Sequence, residues 1–317
     1  MGHVLNVLIS SVSKKVPLIH AVRKALAKLQ DGGKIIGADA DPNCIGKHFV
    51  DDFWQIHKLS DVKFSSFLSD CQRLGVHCII PTRDGELEFY AEYKQALAEA
   101  GVAVMVSEIS ALSVCLDKYK FYELLKNKGF PVIQTSFSVE KIEGSEYVVK
   151  ERFGSGSRNL ALKISKDEAQ KHASRLKNPI FQPFISGNEV SVDLYLDSSK
   201  KTKGVIARQR QLVVHGESQV TTTFRDPSLE HLCSEMAEML HLSGHIMFQL
   251  IKEDGGYLAL ECNPRFGGAS TLSLEVGLDS FYWYFLEVQG KDRADLPFIR
   301  SPKEKTLVRY PEDLILS

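Results

Sequence analysis

The chain has 317 residues, of which 44% are hydrophobic and 25% charged, and its 39 Lys and Arg against 40 Asp and Glu leave a net charge of −1. At roughly 150 residues per domain this length suggests two domains with room for a sizeable core, and the composition excludes a disordered tail, a collagen and a coiled-coil rod. The charge balance excludes a strongly basic nucleic-acid binder. The six cysteines form no C-x-x-C pair and are too sparse for a disulfide scaffold, which points to reduced thiols and a cytoplasmic address. No apolar run approaches the ~20 residues of a membrane helix. The N-terminus has Asn6 where a myristoylation signal needs Ser or Thr, and it lacks the features of a cleavable leader.

The first hundred residues alternate between two periods. Val4–Ile9, Lys34–Gly37, His77–Pro81 and Val102–Val106 read as strands. Pro17–Leu29, Phe64–Leu74 and Glu86–Ala100 read as helices. Such alternation predicts βαβ units and a parallel sheet covered on both faces. The stretch Ser10–Lys15 after the first strand holds no glycine, so a dinucleotide fingerprint is absent from its usual place. Thr82-Arg83-Asp84-Gly85, at the end of a strand, offers either a ligand contact or a helix N-cap at Asp84.

Beyond about residue 110 the grammar changes. Leu116–Lys128 reads as a basic helix and Asp167–Leu176 as another. Tyr147–Lys150, Leu160–Ile164, Ile180–Phe184, Glu189–Leu196 and Lys203–Val214 read as strands. The helix Leu229–Leu240 precedes the strand Ile246–Ile251, and Gly255-Gly256 turns that strand back into Tyr257–Asn263. Phe281–Phe285 reads as a buried aromatic helix, and His241 and His245, split by Ser243-Gly244, as ordinary histidines.

Chemistry concentrates at Ala259–Arg265. Glu261 and Asn263 are two apart and share a face of a strand. Antiparallel pairing across the glycine turn brings Gln249 beside Glu261. Three oxygen donors of this kind suit Mg²⁺ rather than zinc, and Arg265 adds a cation. The glycines of Phe266-Gly267-Gly268-Ala269-Ser270-Thr271 allow a ligand close to the backbone, and Ser270 or Thr271 can cap the following helix, favouring an anion. A substrate carboxylate or acyl phosphate is therefore expected between Arg265, Gly267, Gly268 and Ser270. The loop Gly154-Ser155-Gly156-Ser157-Arg158 lacks the Lys and Ser/Thr of a P-loop, yet its amides suit phosphates. Pro183, inside an apolar strand, cannot donate to a ladder and suits a hinge whose carbonyl is used.

The ordered set Asp117-Lys118, Tyr147–Lys150, Gly154–Arg158, Gln182–Ile185, Gly187–Glu189, Gln249 and Glu261–Arg265 resembles the ATP-grasp family, and within it the carbamoyl-phosphate-synthase-like branch. The resemblance covers residues 105–290 and implies a fold of α/β and α+β type. A pre-ATP-grasp, Rossmann-like domain (1–108) would be followed by a small subdomain with the lid (109–185) and a core domain (186–317). It implies that Lys118 and Lys150 contact ATP phosphates and that Gly154, Ser155, Gly156 and Ser157 close over them. The hinge Gln182, Pro183, Phe184 and Ile185 would hold the adenine, through the Gln182 side chain, the Pro183 carbonyl and the Ile185 amide. Glu189 would hold the ribose, and His215 lies in a loop that in relatives approaches the phosphates. Gln249, Glu261 and Asn263 would position Mg²⁺, with Mn²⁺ as a substitute. Arg265, Lys150 and Asn263 would serve the chemistry. The implied reaction is ATP-dependent activation of a carboxylate to an acyl phosphate, followed by attack of an amine. The alternatives are a bicarbonate- or carbamate-phosphorylating module and a nucleotide-binding partner subunit without turnover. The expected partners are a small carboxylate and an amine, with no nucleic acid and no membrane, and the assembly allowed is a homodimer. A full carbamoyl-phosphate synthetase carries two such units, and this chain has room for one.

Overall fold

The computed structural model describes residues 4–29, 32–156, 159–291 and 296–316. Its N-terminal sheet contains β1 (Val7–Ser10), β2 (Ile35–Asp39), β3 (Asp52–Gln55), β4 (Cys78–Ile80) and β5 (Ala103–Val104). All pairs are parallel, in the order β3-β2-β1-β4-β5. Strand alternation sorts its side chains onto two cores. Val7 and Ile9 pack with Leu18, Ile19 and Val22 of helix Val16–Leu26 and with Phe266, Phe281 and Phe285 from the far end of the chain. Leu8 and Ile79 face the opposite way, onto Phe67, Cys71, Leu87 and Tyr90.

Two helices differ from the sequence reading. The segment expected as Glu86–Ala100 is two helices, Asp84–Glu92 and Lys94–Glu99, with Tyr93 between them stacked on Phe64 at 4.1 Å. The segment expected as Leu116–Lys128 begins instead at Lys118 and is preceded by helix Ile109–Cys115. Asp117 is the reason: its carboxylate accepts the N–H groups of Tyr119 and Lys120, capping a new helix. The strands Asp52–Gln55, Glu217–Phe224 and Thr306–Val308 had no counterpart in that reading.

A small antiparallel sheet follows, made of β6 (Tyr147–Glu151), β7 (Ala161–Ile164) and β8 (Pro179–Pro183) in the order β7-β6-β8. Helix Lys166–Ala173 covers it, with a capping box between Ser165 and Glu168. The third sheet is formed by β9 (Asn188–Leu196), β10 (Thr202–Val214), β11 (Glu217–Phe224), β12 (Gly244–Glu253), β13 (Gly256–Asn263) and β14 (Thr306–Val308), ordered β13-β12-β9-β10-β11-β14. One face is apolar: Val190, Val192, Leu194, Phe248 and Leu250 pack on Leu229, Cys233 and Met236 of helix Pro227–Met239. The alternate positions, Glu189, Ser191, Asp193, Arg208, Arg210, Met247, Gln249, Glu261 and Asn263, make the other face polar.

That polar face is anchored by a buried ion pair. Asp193 is fully buried and accepts from Arg208 Nε at 2.6 Å, Ser270 Oγ at 2.5 Å and Ser273 Oγ at 2.5 Å, with His245 Nε2 at 3.4 Å. Burial pushes the Asp193 carboxyl up, but the Arg208 charge and the hydrogen bonds from His245 and Arg208 outweigh it, holding it well below the usual carboxylate range. Removing one partner of such a pair strands the other charge in the interior. Asp193→Asn keeps the volume and removes the charge. It is expected to cost about 3–5 kcal/mol of stability, read from the urea unfolding midpoint.

Candidate active site

The site is assembled where the small sheet faces the polar side of the large one. On the large sheet, Gln249 of β12 is the register partner of Glu261 on β13 and of Ser191 on β9. One step along, Met247 pairs Asn263. Glu253 pairs Gly256 across the Asp254-Gly255 turn, and a register shift between Leu250 and Gln249, with Leu260 as the extra residue, brings Gln249 beside Glu261. Asn263 Nδ2 lies 3.5 Å from Glu261 Oε1, and Arg265 Nη2 lies 3.4 Å from Asn263 Oδ1. Gln249, Glu261, Asn263 and Arg265 therefore form one row.

The free groups are fewer than the sequence suggests, because arginines occupy several of the acceptors. Arg210, buried on β10, donates to Glu189 Oε2 at 2.7 Å and to Gln249 Oε1 at 2.9 Å. It also reaches Ser218 Oγ at 3.1 Å and the Gly216 carbonyl at 2.8 Å. Arg265 is clamped by Asp84, with Nε–Oδ1 at 2.6 Å and Nη2–Oδ2 at 2.8 Å. Burial raises the Asp84 pKa, but the Arg265 charge and hydrogen bonds from Arg265 and Ser155 prevail, so its carboxyl stays below the ordinary range. Asp84 is thus no N-cap: Arg83 holds that position and Asp84 begins the helix.

From the small sheet, Lys150 is buried and faces Glu261 and Glu189. Burial lowers its pKa to about 8, with Lys118 adding to the shift and the two glutamates opposing it. Lys118, the first residue of its helix, donates to the Gly154 carbonyl at 2.6 Å. Its neighbour Asp117 holds Arg152 at 2.6 and 2.7 Å, tying this helix to the strand that carries Lys150. Gly154, Ser155 and Gly156 are exposed after β6, with positive φ at both glycines; Ser157 and Arg158 lie outside the described residues.

At the hinge, Gln182 is buried and donates to Thr135 Oγ1 at 2.8 Å. Pro183 ends an edge strand, where a missing N–H costs little. The Phe184 amide is engaged by the Glu146 carbonyl at 2.9 Å, and Ile185 is half-buried just beyond. His215 sits at the exposed tip of the β10–β11 hairpin at φ 50°, followed by Gly216 at φ 77°, the backbone of a type I′ turn. At the other end of the row, the Gly267 N–H donates to Ser270 Oγ at 3.0 Å. A Cβ on Gly267 would meet Ser270 Oγ at 2.7 Å and Met247 Sδ at 2.8 Å, and one on Gly268 would meet Arg309 Nη2 at 2.9 Å.

Thr135, Arg210 and Arg309 were not among the residues singled out from the sequence, and Asp84 was singled out without its pairing to Arg265. Arg210 had a readable signal, since Arg208 and Arg210 place two cations on one face of an expected strand. The donors at Gln249, Glu261 and Asn263 are all oxygens but include a single carboxylate. Among the described residues no group of three His, Cys, Asp or Glu side chains can hold a metal. This set fits an Mg²⁺ that brings phosphate and water ligands with it, rather than a resident ion in a protein cage.

A strand-borne lysine thus lies over a polar sheet face with a glycine loop beside it. The chain carries an ATP-grasp domain: residues 115–269 match the ATP-grasp domain and residues 7–105 the PylC-like N-terminal domain. It is 21% identical over 211 residues to the carbamoyl phosphate synthase large chain of Pyrococcus furiosus, covering 58% of this chain and 20% of that one. It is 22% identical over 197 residues to the arginine-specific large chain of Bacillus subtilis, covering 54% and 18%. The chain thus spans about a fifth of the length of these curated relatives. Among solved structures it is similar to the biotin carboxylase domain of Hydrogenobacter thermophilus 2-oxoglutarate carboxylase (TM-score 0.76, 14% identity, 95% of this chain and 73% of that one). It is also similar to N5-carboxyaminoimidazole synthetase of Staphylococcus aureus complexed with ADP (TM-score 0.72, 16% identity, 92% and 79%). At these identities the structural likeness establishes the fold.

Lys150 yields a test of the site's electrostatics. With a folded pKa of about 8 against 10.5 for the free side chain, both states hold the proton below pH 8 and the cost of burying the charge is full. Between about pH 8 and 10.5 the folded state sheds its proton first, so stability rises with pH. Lys150→Met is expected to stabilise the ligand-free protein by on the order of 1–3 kcal/mol at pH 7. The gain should shrink in urea unfolding repeated at pH 9.5.

Proposed function

We propose that the protein is an ATP- and Mg²⁺-dependent carboxylate–amine ligase acting through an acyl phosphate. The observation that carries this reading is the buried ammonium of Lys150, on the small sheet, within electrostatic reach of Glu261 and Glu189 on the large one. The likeness to the carbamoyl phosphate synthase chains supports it. The nucleotide would lie between the sheets, its adenine at Gln182–Ile185, its ribose at Glu189, and its phosphates at Lys118, Lys150 and the Gly154–Gly156 loop. Mg²⁺ would sit at Gln249, Glu261 and Asn263 and neutralise the phosphates. This requires Gln249 to yield its oxygen from Arg210, and Arg210 would then steady Glu189 alone.

A substrate carboxylate held between Arg265 and the Gly267–Ser270 turn would attack the γ-phosphorus, and ADP would leave. The amine then forms the new C–N bond, inorganic phosphate departs, and the amine proton passes to solvent or to a nearby base. Phosphoryl transfer asks the protein chiefly for positioning and charge neutralisation. Arg265 would supply the charge at the acyl phosphate, with Asp84 fixing its plane. A second reading, phosphorylation of bicarbonate or carbamate, is favoured by the likeness to a biotin carboxylase domain solved with MgADP and bicarbonate.

The three units would be 1–108, 109–185 and 186–317. His215, at a hairpin tip tied to the site through Gly216 and Arg210, would approach the phosphates only on closure. A homodimer fits the Hydrogenobacter domain, which is described as a dimer. A cytoplasmic setting fits the six buried, unpaired cysteines, and among the described residues no helix is long and apolar enough to cross a membrane.

Two experiments test the reading. Glu261→Ala is expected to abolish Mg²⁺-dependent ATP turnover while the circular dichroism spectrum and unfolding midpoint stay near those of the parent. Near-normal turnover in the folded variant would remove Glu261 from the metal site, and a parent that binds MgATP without releasing ADP in any pool of acids and amines would favour a binding subunit. Second, amides of Lys150–Gly156 should gain hydrogen-exchange protection with an ATP analogue, as closing loops do. Unchanged exchange there would count against the loop's role.

A further inference from the structure

The N-terminal domain holds chemistry that the nucleotide site leaves unused. Ligands of open parallel sheets gather beyond the carboxyl ends of the strands, where the strand order reverses. Here β1 lies between β2 and β4, and three segments meet at that end. The Ser10–Lys15 loop leaves β1 with Ser11 and Ser13 at φ 49° and 34°. Thr82 fixes it by donating to the Ser10 and Ser11 carbonyls at 2.7 and 3.1 Å, and Asp39 by accepting the Ser13 N–H at 2.8 Å. Buried Glu86 accepts the hydroxyls of Ser10, at 2.6 Å, and Ser11. Two residues before Glu86, Asp84 carries the clamp on Arg265. The loop is thereby held against the Arg265–Ser270 turn. From the other side comes Arg309, bonded to Glu217 at 2.6 Å and lying against Gly268.

Nearly every charge in this crevice has a contact partner. Arg265 has Asp84, Arg309 has Glu217, and Glu86 has two hydroxyls. Lys15 and Arg83 are the exceptions, and Lys15 is the more enclosed of the two, Arg83 being exposed. Lys15 is half-buried, and its ammonium makes no hydrogen bond or ion pair with a described side chain, although Arg265, Glu86, Glu217 and Arg83 are all within electrostatic reach. Burial, with Arg265 adding to it, holds its pKa below the ordinary lysine value. Its charged neighbours are two cations and two carboxylates, but the carboxylates of Glu86 and Glu217 are bonded elsewhere, so a partly desolvated ammonium without a contact partner is a place where an anion gains charge-assisted bonds.

We propose that Lys15 binds an anionic group, carboxylate or phosphate, carried by the nucleophile substrate. This rests on the ligase reading above. The acyl phosphate would occupy the Arg265 side of the turn, with ATP beyond it. A nucleophile attacks one face of the acyl carbonyl, and the Ser10–Lys15 loop, tied through Glu86 and Asp84 toward Arg265, would line the approach to that face. The nucleophile's anion would be held at Lys15 and its nitrogen directed at the turn.

The test uses the full chain with the nucleotide site filled by MgADP. It is titrated with inorganic phosphate and, separately, with acetate, and the rise in melting temperature gives an apparent anion affinity. Lys15→Met should weaken that affinity at least about tenfold, as loss of a charge-assisted contact does, and Lys15→Arg should retain it. Lys15→Gln, a second neutral change, covers a failure of the methionine variant to fold. Phosphate alone responding identifies a phosphate-bearing nucleophile, and acetate alone a carboxylate-bearing one. A parent that responds to neither anion, or a neutral variant that responds like the parent, overturns the proposal. MgADP affinity is read in the same samples. Its absence in the parent defeats the ligase reading, whereas a shift independent of Lys15 with MgADP bound defeats only the present proposal.

Discussion

A single buried carboxylate organises the working face of this protein. Asp193 sits at the centre of the large sheet and takes donors from β10, from the turn after β13 and from the helix that follows it, with β12 close by. A buried charge is costly unless it is paired and hydrogen-bonded. Here the cost is met by fixing four segments of chain in one arrangement. Ser270 is the important link. Its hydroxyl donates to Asp193 and accepts the Gly267 N–H, so the conformation of the Gly267–Ser270 turn is set from beneath by a fully buried carboxylate. The proposed acyl site thus inherits its shape from the sheet's interior rather than from the loop itself.

A second constraint joins the sheets to the N-terminal domain. Arg265 follows directly on the β13 row that bears Glu261 and Asn263, yet its fork is held by Asp84 at the mouth of the parallel sheet. A two-bond guanidinium–carboxylate pair has a fixed plane. The residue proposed to meet the acyl phosphate therefore reports the position of the N-terminal domain. The apolar packing of Phe266, Phe281 and Phe285 against Val7 and Ile9 makes that position firm. The small sheet, by contrast, is tied to the rest through Asp117–Arg152 and the Lys118–Gly154 contact, polar links that a nucleotide can exchange for its own phosphates.

Much of this was legible in the sequence where one rule sufficed. The parallel sheet followed from alternating periods, and the antiparallel return of Tyr257–Asn263 followed from the glycine turn. The partner of Gln249 did not, because the turn is Asp254-Gly255 and a one-residue bulge at Leu260 is what brings Glu261, rather than Leu260, opposite Gln249. Interactions between distant segments were not legible. Asp84 and Arg265 are 181 positions apart, and Asp193 and Ser270 are 77 apart; only the fold brings them together. The reading of Asp84 as an N-cap failed because a carboxylate at a helix start has two outlets, and a distant arginine supplied the stronger one. Strand β11 escaped notice because Glu217–Phe224 is largely polar, being an inner strand with one wet face. Its pairing is announced instead by His215-Gly216, whose positive φ values make the hairpin turn. The Leu116–Lys128 helix was misjudged because hydrophobic spacing runs across a break that only Asp117, as a cap, reveals.

The site also shows why its polar groups are arranged in opposition. Lys150 with Glu261, Arg210 with Glu189 and Gln249, and Arg265 with Asp84 each hold their charges against one another in the ligand-free state. Each pair limits the desolvation cost of keeping a cation at the proposed phosphate site. The pairs are not equivalent. Arg265 sits in a short two-bond contact and acts as a fixed strut, while Arg210 is held by Glu189, Ser218 and Gly216 and can release Gln249 without losing its place. Lys150 has only electrostatic partners and carries the lowered pKa, so it is the group whose charge is most incompletely compensated before a nucleotide binds. An incoming polyphosphate gains most at such a cation, because it relieves a strain already present rather than breaking a good bond. The division of labour between rigid arginines and an under-compensated lysine follows from their chemistry: a guanidinium is planar and always charged, while an ammonium shifts its pKa readily on burial.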